Sequence, residues 1–246
     1  MSKRFEELDR QDTMMGPIVL RRRLDPVLGG QVVEVKLGDE FLMSSAFTAS
    51  EEALSHLALG ELDGEALHVL VGGLGLGYTA LAALDEPRVA SVTVVEALEP
   101  VIRWHREELL PTSTRLSTDG RARLVHADFF ALIAGRSEES GISDREFDAV
   151  LLDIDHTPRH VLHASHRAFY EVAGLREMRS RLTPGGVLGV WSDDPSDEDF
   201  VVRLREVFVE VDSHVVSFPN PYTKGESACT VYLARKPPTR ARRSGE

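Results

Sequence analysis

Four glycines fall within six positions in the middle of the chain. They are Gly72, Gly73, Gly75 and Gly77 in the stretch HVLVGGLGLGYTALAAL, residues 68–84, where an apolar strand pattern passes into a helical one. Glycine reaches positive φ without steric cost and lets a backbone approach a ligand closely. One or two glycines would be enough for a plain strand-to-helix turn, so this loop is predicted to wrap around a bound molecule.

Carboxylates stand where three later strand candidates end. Glu96 ends SVTVVE, Asp128 follows ARLVHA, and Asp153 and Asp155 follow FDAVLL. An acid about 20 residues after the glycines suits the two hydroxyls of a ribose, although a helix N-terminus would also favour an acid at Glu96. Asp128, with Phe129-Phe130 beside it, is placed to accept a hydrogen bond from an adenine amino group.

Two cofactor patterns fit the glycine turn. Residues 75–80 have the G-x-G-x-x-A form of a dinucleotide site, but this match begins late relative to the end of the strand. Gly73, Gly75 and Gly77 form the G-x-G-x-G pattern that is typical of S-adenosylmethionine sites. The acids at successive strand ends are much less expected of a dinucleotide enzyme, so the set favours S-adenosylmethionine.

The elements that must position these residues alternate between strand and helix from Leu67 onward. Near-continuous apolar strands separated by helices predict an α/β fold with a doubly wound parallel sheet, covered on both faces. The last two strand candidates, SHVVSF and CTVYLA, follow one another without a helix, so one should run antiparallel at the edge. A single helical stretch is predicted across HRAFYEVAGLREMRSRL.

The N-terminal part reads differently. Residues 1–16 are polar and expected to be loosely held, whereas QVVEVKL and EFLMS around Gly38-Asp39 predict a hairpin. TASE, residues 48–51, has the capping-box form and should open a helix. The predicted division is a β-hairpin and helix element at 1–62, a cofactor-binding Rossmann-like domain at 63–236 and a disordered tail at 237–246.

Composition and charge limit the kinds of partner that the protein can have. Of 246 residues 28 are basic and 40 acidic, which gives a net charge of −12. Such a surface would repel nucleic acid and anionic membranes and fits a cationic or neutral small substrate, although solubility alone would explain it. No apolar run approaches the roughly 18 residues that span a bilayer, and the charged N-terminus lacks a signal-peptide core. We expect a cytoplasmic protein without nucleic-acid or membrane partners.

These motifs resemble the spermidine synthases and their relatives among the class I S-adenosylmethionine-dependent transferases. The likeness runs from about Val32 to Arg235 and rests on VLVGGLGLG, VVEALEP, HADFFAL, FTASEEAL, and FDAVLLDID followed by Pro158. It implies a Rossmann-like, seven-stranded methyltransferase-type sheet after a short β piece. It also implies that Asp153 is the active-site carboxylate beside an attacking amine, and a homodimer, since relatives often pair.

Departures from the family pattern bear on the substrates. Gly75 stands where the family has the aspartate that holds the amine of decarboxylated S-adenosylmethionine, and Ala49-Ser50 stands where it has a Tyr-Gln pair for the diamine. These departures from the family pattern therefore favour ordinary S-adenosylmethionine as the donor. The expected reaction is methyl transfer to a small acceptor, an amine or another cation. Aminopropyl transfer from decarboxylated S-adenosylmethionine is the alternative, and a non-catalytic nucleoside-binding module is a further one.

Polar residues after the fourth strand could assist. Tyr170 and His156 are candidate helpers of Asp153 on the acceptor side. Four histidines follow one another in DIDHTPRHVLHASH: His156, His160, His163 and His166. They could form a metal site, a substrate-side base or lid, or a solvated segment; Pro158 breaks the helical spacing, so we expect no metal.

The fifth strand candidate ends in VWSDDPSDED. Trp191 and Asp193 are expected on the acceptor side, where an aromatic ring and an acid suit a cation. For Asp194 the start of the next helix is the alternative placement.

Overall fold

A computed structural model describes residues 5–139 and 141–239, so most of the predicted tail lies outside the described residues. An antiparallel sheet comes first, in the order β1-β2-β3-β4. Its strands are β1 (Phe5–Thr13), β2 (Gly16–Asp25), β3 (Gly30–Leu37) and β4 (Glu40–Ser44). The predicted hairpin is present, because Leu37 pairs with Glu40 across Gly38-Asp39.

The expectation of a loosely held N-terminus is wrong for residues 5–13. β1 pairs with β2 along its length, from Phe5 opposite Arg23 to Thr13 opposite Gly16. Its side chains are all exposed or only partly buried, so no apolar alternation marks it as a strand. The backbone ladder, and not a buried face, defines this strand.

The first helix, α1 (Ala49–Gly60), begins where the TASE motif predicts. The reciprocal capping bonds are missing, since the Thr48 hydroxyl donates instead to Oε1 of Glu52 at 2.8 Å. Leu54 and Ala58 of this helix are buried in the same cluster as Val69. The boundary at residues 62 and 63 remains a prediction.

The second sheet has seven strands in the order β10-β11-β9-β8-β5-β6-β7. The strands are β5 (Leu67–Gly72), β6 (Val89–Glu96), β7 (Ala122–His126), β8 (Phe147–Leu152), β9 (Leu182–Ser192), β10 (Val209–Asn220) and β11 (Gly225–Arg235). The predicted fold class is confirmed. The reversed strand is β11, which pairs antiparallel with β9 and with the edge strand β10.

Helices cover both faces of this sheet, because successive residues of β5 are buried on opposite faces. Val69 and Val71 belong to one core cluster and Leu70 to the other. The helices are α2 (Tyr78–Asp85), α3 (Glu99–Arg106), α4 (Ser113–Thr118), α5 (Phe129–Ile133), α6 (Val172–Ser180) and α7 (Glu198–Arg205), with a 3₁₀ helix at Ala164–Tyr170. None of the helices among the described residues is long and apolar enough to cross a membrane.

The long helix predicted across residues 166–182 is two elements. The backbone of Glu171 is extended, with φ −89° and ψ 159°, and separates the 3₁₀ helix from α6. Gly174 lets the two pack closely, because a Cβ there would lie 2.3 Å from the carbonyl oxygen of Ala168. The spacing of apolar residues in the sequence does not predict this break in the helix.

Candidate active site

The carboxyl ends of β5 and β8 meet at the centre of the sheet, where successive connections diverge to its two sides. The backbone N–H of Asp153 donates to the carbonyl oxygen of Gly72 at 2.8 Å. Gly73 has a φ of +93°, and a Cβ on it would lie 2.1 Å from the carbonyl oxygen of Asp153. Close packing of the two strand ends therefore requires this glycine, independently of any ligand.

The next two glycines of the loop also have positive φ, +47° at Gly75 and +87° at Gly77. A Cβ at Gly75 would lie 2.8 Å from Sδ of Met43 in β4, and one at Gly77 would lie 2.6 Å from Leu116. Gly73 and Gly75 line the main cavity, whereas Gly72 and Gly77 do not. Two of the four predicted contact residues therefore face the ligand space directly, and the other two shape the turn.

This cavity has a volume of about 780 Å³, within the range of small-molecule sites. Its floor is the line of strand ends, and its walls come from the β1–β2 hairpin, β4 and the segment after β8. The polar wall residues include Gln11, Asp12, Thr13, Glu96, Asp128, Asp153, His163 and His166. No sequence pattern indicates the hairpin wall, because β1 has no buried apolar face.

Glu96 at the end of β6 holds the start of two loops. Its Oε2 accepts from the Leu74 N–H at 3.0 Å and its Oε1 from the Leu98 N–H at 2.8 Å. The residue is 9% exposed, and burial raises the pKa of its carboxyl. The backbone N–H groups of Gly75 and Ala97 also lower its pKa, so a ligand hydroxyl would share the oxygens of Glu96 with four backbone groups.

Asp128 is exposed and lies at the adenine-side position of the resemblance. Its Oδ1 accepts from the Ala131 N–H at 3.0 Å and caps α5, while the neighbouring Phe129 and Phe130 are buried. The cap uses one oxygen, and the residue lines the cavity. The second oxygen remains for a ligand.

Asp153 lies in the cavity floor and is held by α2. The Thr79 hydroxyl donates to its Oδ2 at 2.6 Å. Burial nevertheless raises the pKa of the Asp153 carboxyl to about 6. A carboxyl in this range is mostly ionised at neutral pH and can still take up a proton.

A second acid, Glu51, lies beside Asp153 and was not predicted as a site residue. Burial, together with the negative charge of Asp153, raises the pKa of Glu51 to about 7. The Ser50 hydroxyl donates to its Oε2 at 2.7 Å. Glu51 does not line the cavity, but its charge and that of Asp153 act on each other, so a cation beside Asp153 would be favoured.

Comparisons with known proteins agree with this architecture. The solved spermidine synthase from Thermotoga maritima matches 94% of this chain and 72% of its own, with a TM-score of 0.70 and 18% identity. A spermidine synthase in complex with the transition state analogue AdoDATO matches 94% and 73%, with a TM-score of 0.71 and 19% identity. The chain has the spermidine synthase fold.

The curated proteins give a distant relative by sequence. The polyamine aminopropyltransferase of Sulfolobus acidocaldarius is 26% identical over 197 residues, 76% of this chain. The chain spans 58% of the length of that relative. No family model matches the chain. The resemblance to the spermidine synthases is confirmed, and the comparisons favour the predicted alternative, aminopropyl transfer, over methyl transfer.

Two predicted helpers are not brought to the Asp153 carboxylate. The buried Tyr170 donates its hydroxyl to Oδ2 of Asp155 at 2.9 Å and does not line the cavity. His156 also lies outside the cavity wall, with Nε2 3.6 Å from Oε2 of Glu40. The 3₁₀ helix turns Tyr170 toward Asp155, which helical spacing alone could not reveal.

The four histidines of this segment separate into two pairs. The rings of His156 and His160 have centroids 5.0 Å apart, and those of His163 and His166 lie 5.8 Å apart. Within residues 5–139 and 141–239, no group of three or more His, Cys, Asp or Glu side chains is placed to hold a metal ion. The second pair lines the cavity, and the first does not.

Trp191 and Asp193, at and just after the end of β9, do not line the cavity. Asp193 accepts a weak hydrogen bond from Sγ of Cys229 at 3.6 Å, and the Asp193 N–H donates to the carbonyl oxygen of His156 at 2.8 Å. The indole N–H of Trp191 is buried without a partner among the described residues. The placement of Trp191 and Asp193 on an acceptor side remains a prediction, as does the homodimer.

Proposed function

We propose that the protein transfers the aminopropyl group of decarboxylated S-adenosylmethionine to a small amine. The observation that carries this proposal is the cavity at the strand ends, which Glu96, Asp128 and Asp153 line together, with Glu51 in the first turn of α1 acting on Asp153 through its charge. The similarity to a polyamine aminopropyltransferase supports it. The cavity fits such a donor, because its volume is about 780 Å³ and its wall contains both carboxylates and apolar side chains.

The acid pair explains why a donor without a carboxylate would be preferred. Two neighbouring carboxylates repel each other, which a bound ammonium group offsets and a third carboxylate worsens. Gly75 removes the aspartate that the family places in its glycine loop, and Glu51 supplies a carboxylate from the N-terminus of α1 instead. In this proposal Glu51 takes the place of the family's loop aspartate.

The remaining contacts follow the strand ends. Glu96 would hold the ribose hydroxyls, Asp128 the adenine amino group, and the backbone at Gly73 and Gly75 the part of the donor between them. When bound, decarboxylated S-adenosylmethionine supplies a carbon activated by a sulfonium leaving group. This protein mainly has to align the amine with that carbon and exclude water.

Asp153 is the residue that moves a proton. Thr79 occupies Oδ2, so Oδ1 is the oxygen that would face the attacking amine. As the new C–N bond forms and the C–S bond breaks, the nitrogen loses a proton, which this oxygen accepts. A pKa of about 6 keeps Asp153 ionised at neutral pH, ready for that step.

Methyl transfer is the second candidate, and the glycine at position 75 favours it. Ala49 and Ser50 replace the family's Tyr-Gln pair, so the acceptor would differ from a simple diamine. The two reactions give products of different mass from the same amine. Mass spectrometry after incubation with either donor and a panel of amines therefore distinguishes them.

Calorimetric titration tests the proposal directly. Decarboxylated S-adenosylmethionine should bind at least about tenfold more tightly than S-adenosylmethionine, a difference of about 1.4 kcal/mol. Glu51→Gln should remove most of this preference, while Glu52→Gln on the same helical turn should keep it. Tighter binding of the carboxylated donor would put methyl transfer first, and no binding of either donor would refute both.

A further inference from the structure

A network of buried hydrogen bonds follows β8 and reaches the cavity wall. Its residues have no role in the proposed transfer. Asp155 is 3% exposed and accepts three hydrogen bonds. The donors are the Leu162 N–H at 2.7 Å, Nδ1 of His166 at 2.8 Å and the Tyr170 hydroxyl at 2.9 Å. Such a carboxylate is fully engaged by the protein and is not available to a ligand.

The network fixes the orientation and the tautomer of His166. A carboxylate oxygen accepts, so Nδ1 carries the hydrogen, and in a neutral imidazole with this tautomer Nε2 is the acceptor. The ring is stacked on Phe130, with centroids 4.0 Å apart and an interplanar angle of 25°. Among the described residues Nε2 has no hydrogen-bond partner, and His166 lines the cavity.

His166 faces the part of the cavity that Asp128 also lines. Phe130, on which the imidazole stacks, comes two residues after Asp128 in the chain, and both residues belong to the cavity wall. Two acceptors are therefore available there, the second oxygen of Asp128 and Nε2 of His166. A 6-amino group on a purine offers two N–H donors, whereas a 6-oxo group offers none.

We propose that His166, positioned by Asp155, reads the 6-amino group of the bound purine together with Asp128 and thereby selects adenine nucleosides. This inference rests on the proposed function, since it assumes that the cavity binds the nucleoside of the donor. Asp155 acts through His166 and is a positioning residue, whereas Tyr170 bonds the other oxygen of Asp155 and does not touch the imidazole. The imidazole is the group that touches the ligand.

Binding of 5′-methylthioadenosine and 5′-methylthioinosine tests the inference, because the second has a 6-oxo group in place of the 6-amino group and otherwise differs only by the hydrogen on N1. We expect the wild-type protein to bind the adenosine form about 100-fold more tightly, from two hydrogen bonds of about 1–1.5 kcal/mol each. His166→Asn retains a donor for Asp155 and removes the Nε2 acceptor. It should reduce the ratio to about tenfold, since Asp128 remains.

Tyr170→Phe is the matched control, because it also removes one hydrogen bond to Asp155 but changes no atom of the cavity wall. Its affinity ratio should stay within about twofold of wild type. Thermal unfolding of each variant checks that it folds, and His166→Phe, which keeps a ring against Phe130 and has no acceptor, replaces His166→Asn if the latter does not. A general loss of stability would lower both affinities and leave their ratio unchanged.

Four results would overturn the inference. Equal binding of the two nucleosides by the wild-type protein refutes it. A wild-type ratio in His166→Asn, or an equal fall in Tyr170→Phe, refutes direct contact by the imidazole while the proposed transfer still stands. If neither nucleoside binds, the proposed function fails as well.

Discussion

The Thr79 hydroxyl lies 2.6 Å from Oδ2 of Asp153 and donates a hydrogen bond to it. This bond lowers the pKa of Asp153 and partly offsets the rise caused by burial. It links α2, which follows the glycine loop, to the carboxylate that would accept the proton. The protonation of Asp153 thus depends on a residue outside the cavity wall.

Thr79→Val should therefore raise the pKa of Asp153 above about 6, by about one unit. The acidic limb of the pH profile of kcat should move up by the same amount, because Asp153 would stay protonated to a higher pH. The rate at alkaline pH should change little. Thr79→Ser keeps the hydroxyl and should keep the wild-type limb; an unmoved limb in Thr79→Val would show that another group titrates.

Gly73→Ala should destabilise the fold strongly. The new Cβ would lie 2.1 Å from the carbonyl oxygen of Asp153, and the φ of +93° is strained for alanine. Strain and overpacking together should cost about 2–4 kcal/mol in the free energy of unfolding, measured in urea. Gly185→Ala is the control, since its φ is +82° but nothing lies within 4 Å, so it should lose only about 1 kcal/mol. Equal losses would mean that the strand ends can move apart.

The sequence predicts the centre of this fold well for a physical reason. β5 and β8 are buried on both faces, so their apolar runs are continuous, and glycines and acids mark their ends. Since parallel strands bring their carboxyl ends to one edge, Glu96, Asp128 and Asp153 could be assigned to one cavity. The structure places all three there.

Other parts of the site depend on contacts that no local pattern carries. β1 has no buried face, so its role as a cavity wall could not be read from its residues. Glu51 looked like half of a capping box, and only the packing of α1 on the sheet brings it beside Asp153. Tyr170 is predicted to assist Asp153, but the 3₁₀ helix directs its hydroxyl to Asp155.

The stability of the protein should fall as the pH rises through the titration of Glu51 and Asp153. Their pKa values are raised to about 7 and about 6, so the folded chain binds protons more tightly than the unfolded chain. This contribution is fully present below the unfolded pKa values near 4 and is lost as the pH passes the folded values.

Glu51→Gln should accordingly increase the free energy of unfolding at pH 8.5 by about 1–2 kcal/mol, after allowance for solvent screening, and change it little at pH 4.5. Urea unfolding at the two pH values measures the difference. Glu52→Gln removes the same charge from the same turn and should show a smaller dependence on pH. A stabilisation by Glu51→Gln that is equal at both pH values would contradict repulsion between the two acids.

The β1–β2 hairpin should contribute to donor binding through Asp9. Oδ2 of Asp9 accepts from the indole N–H of Trp104 at 2.6 Å and also forms an ion pair with Arg103, which ties the hairpin to α3. Residues 11–13 of the same hairpin line the cavity. Asp9→Ala frees the hairpin from α3, so the affinity for decarboxylated S-adenosylmethionine should fall about tenfold, with about 1–2 kcal/mol lost from the free energy of unfolding.

Glu7→Ala is the control for this change, because Glu7 forms its ion pair with Arg10 on the same exposed strand. Its affinity for the donor should remain within about twofold of wild type, since surface ion pairs contribute little. Titration calorimetry of both variants measures their affinities for the donor. If Asp9→Ala binds the donor as tightly as wild type, the hairpin covers the cavity without holding the ligand, and the nucleoside must be bound by the strand-end carboxylates alone.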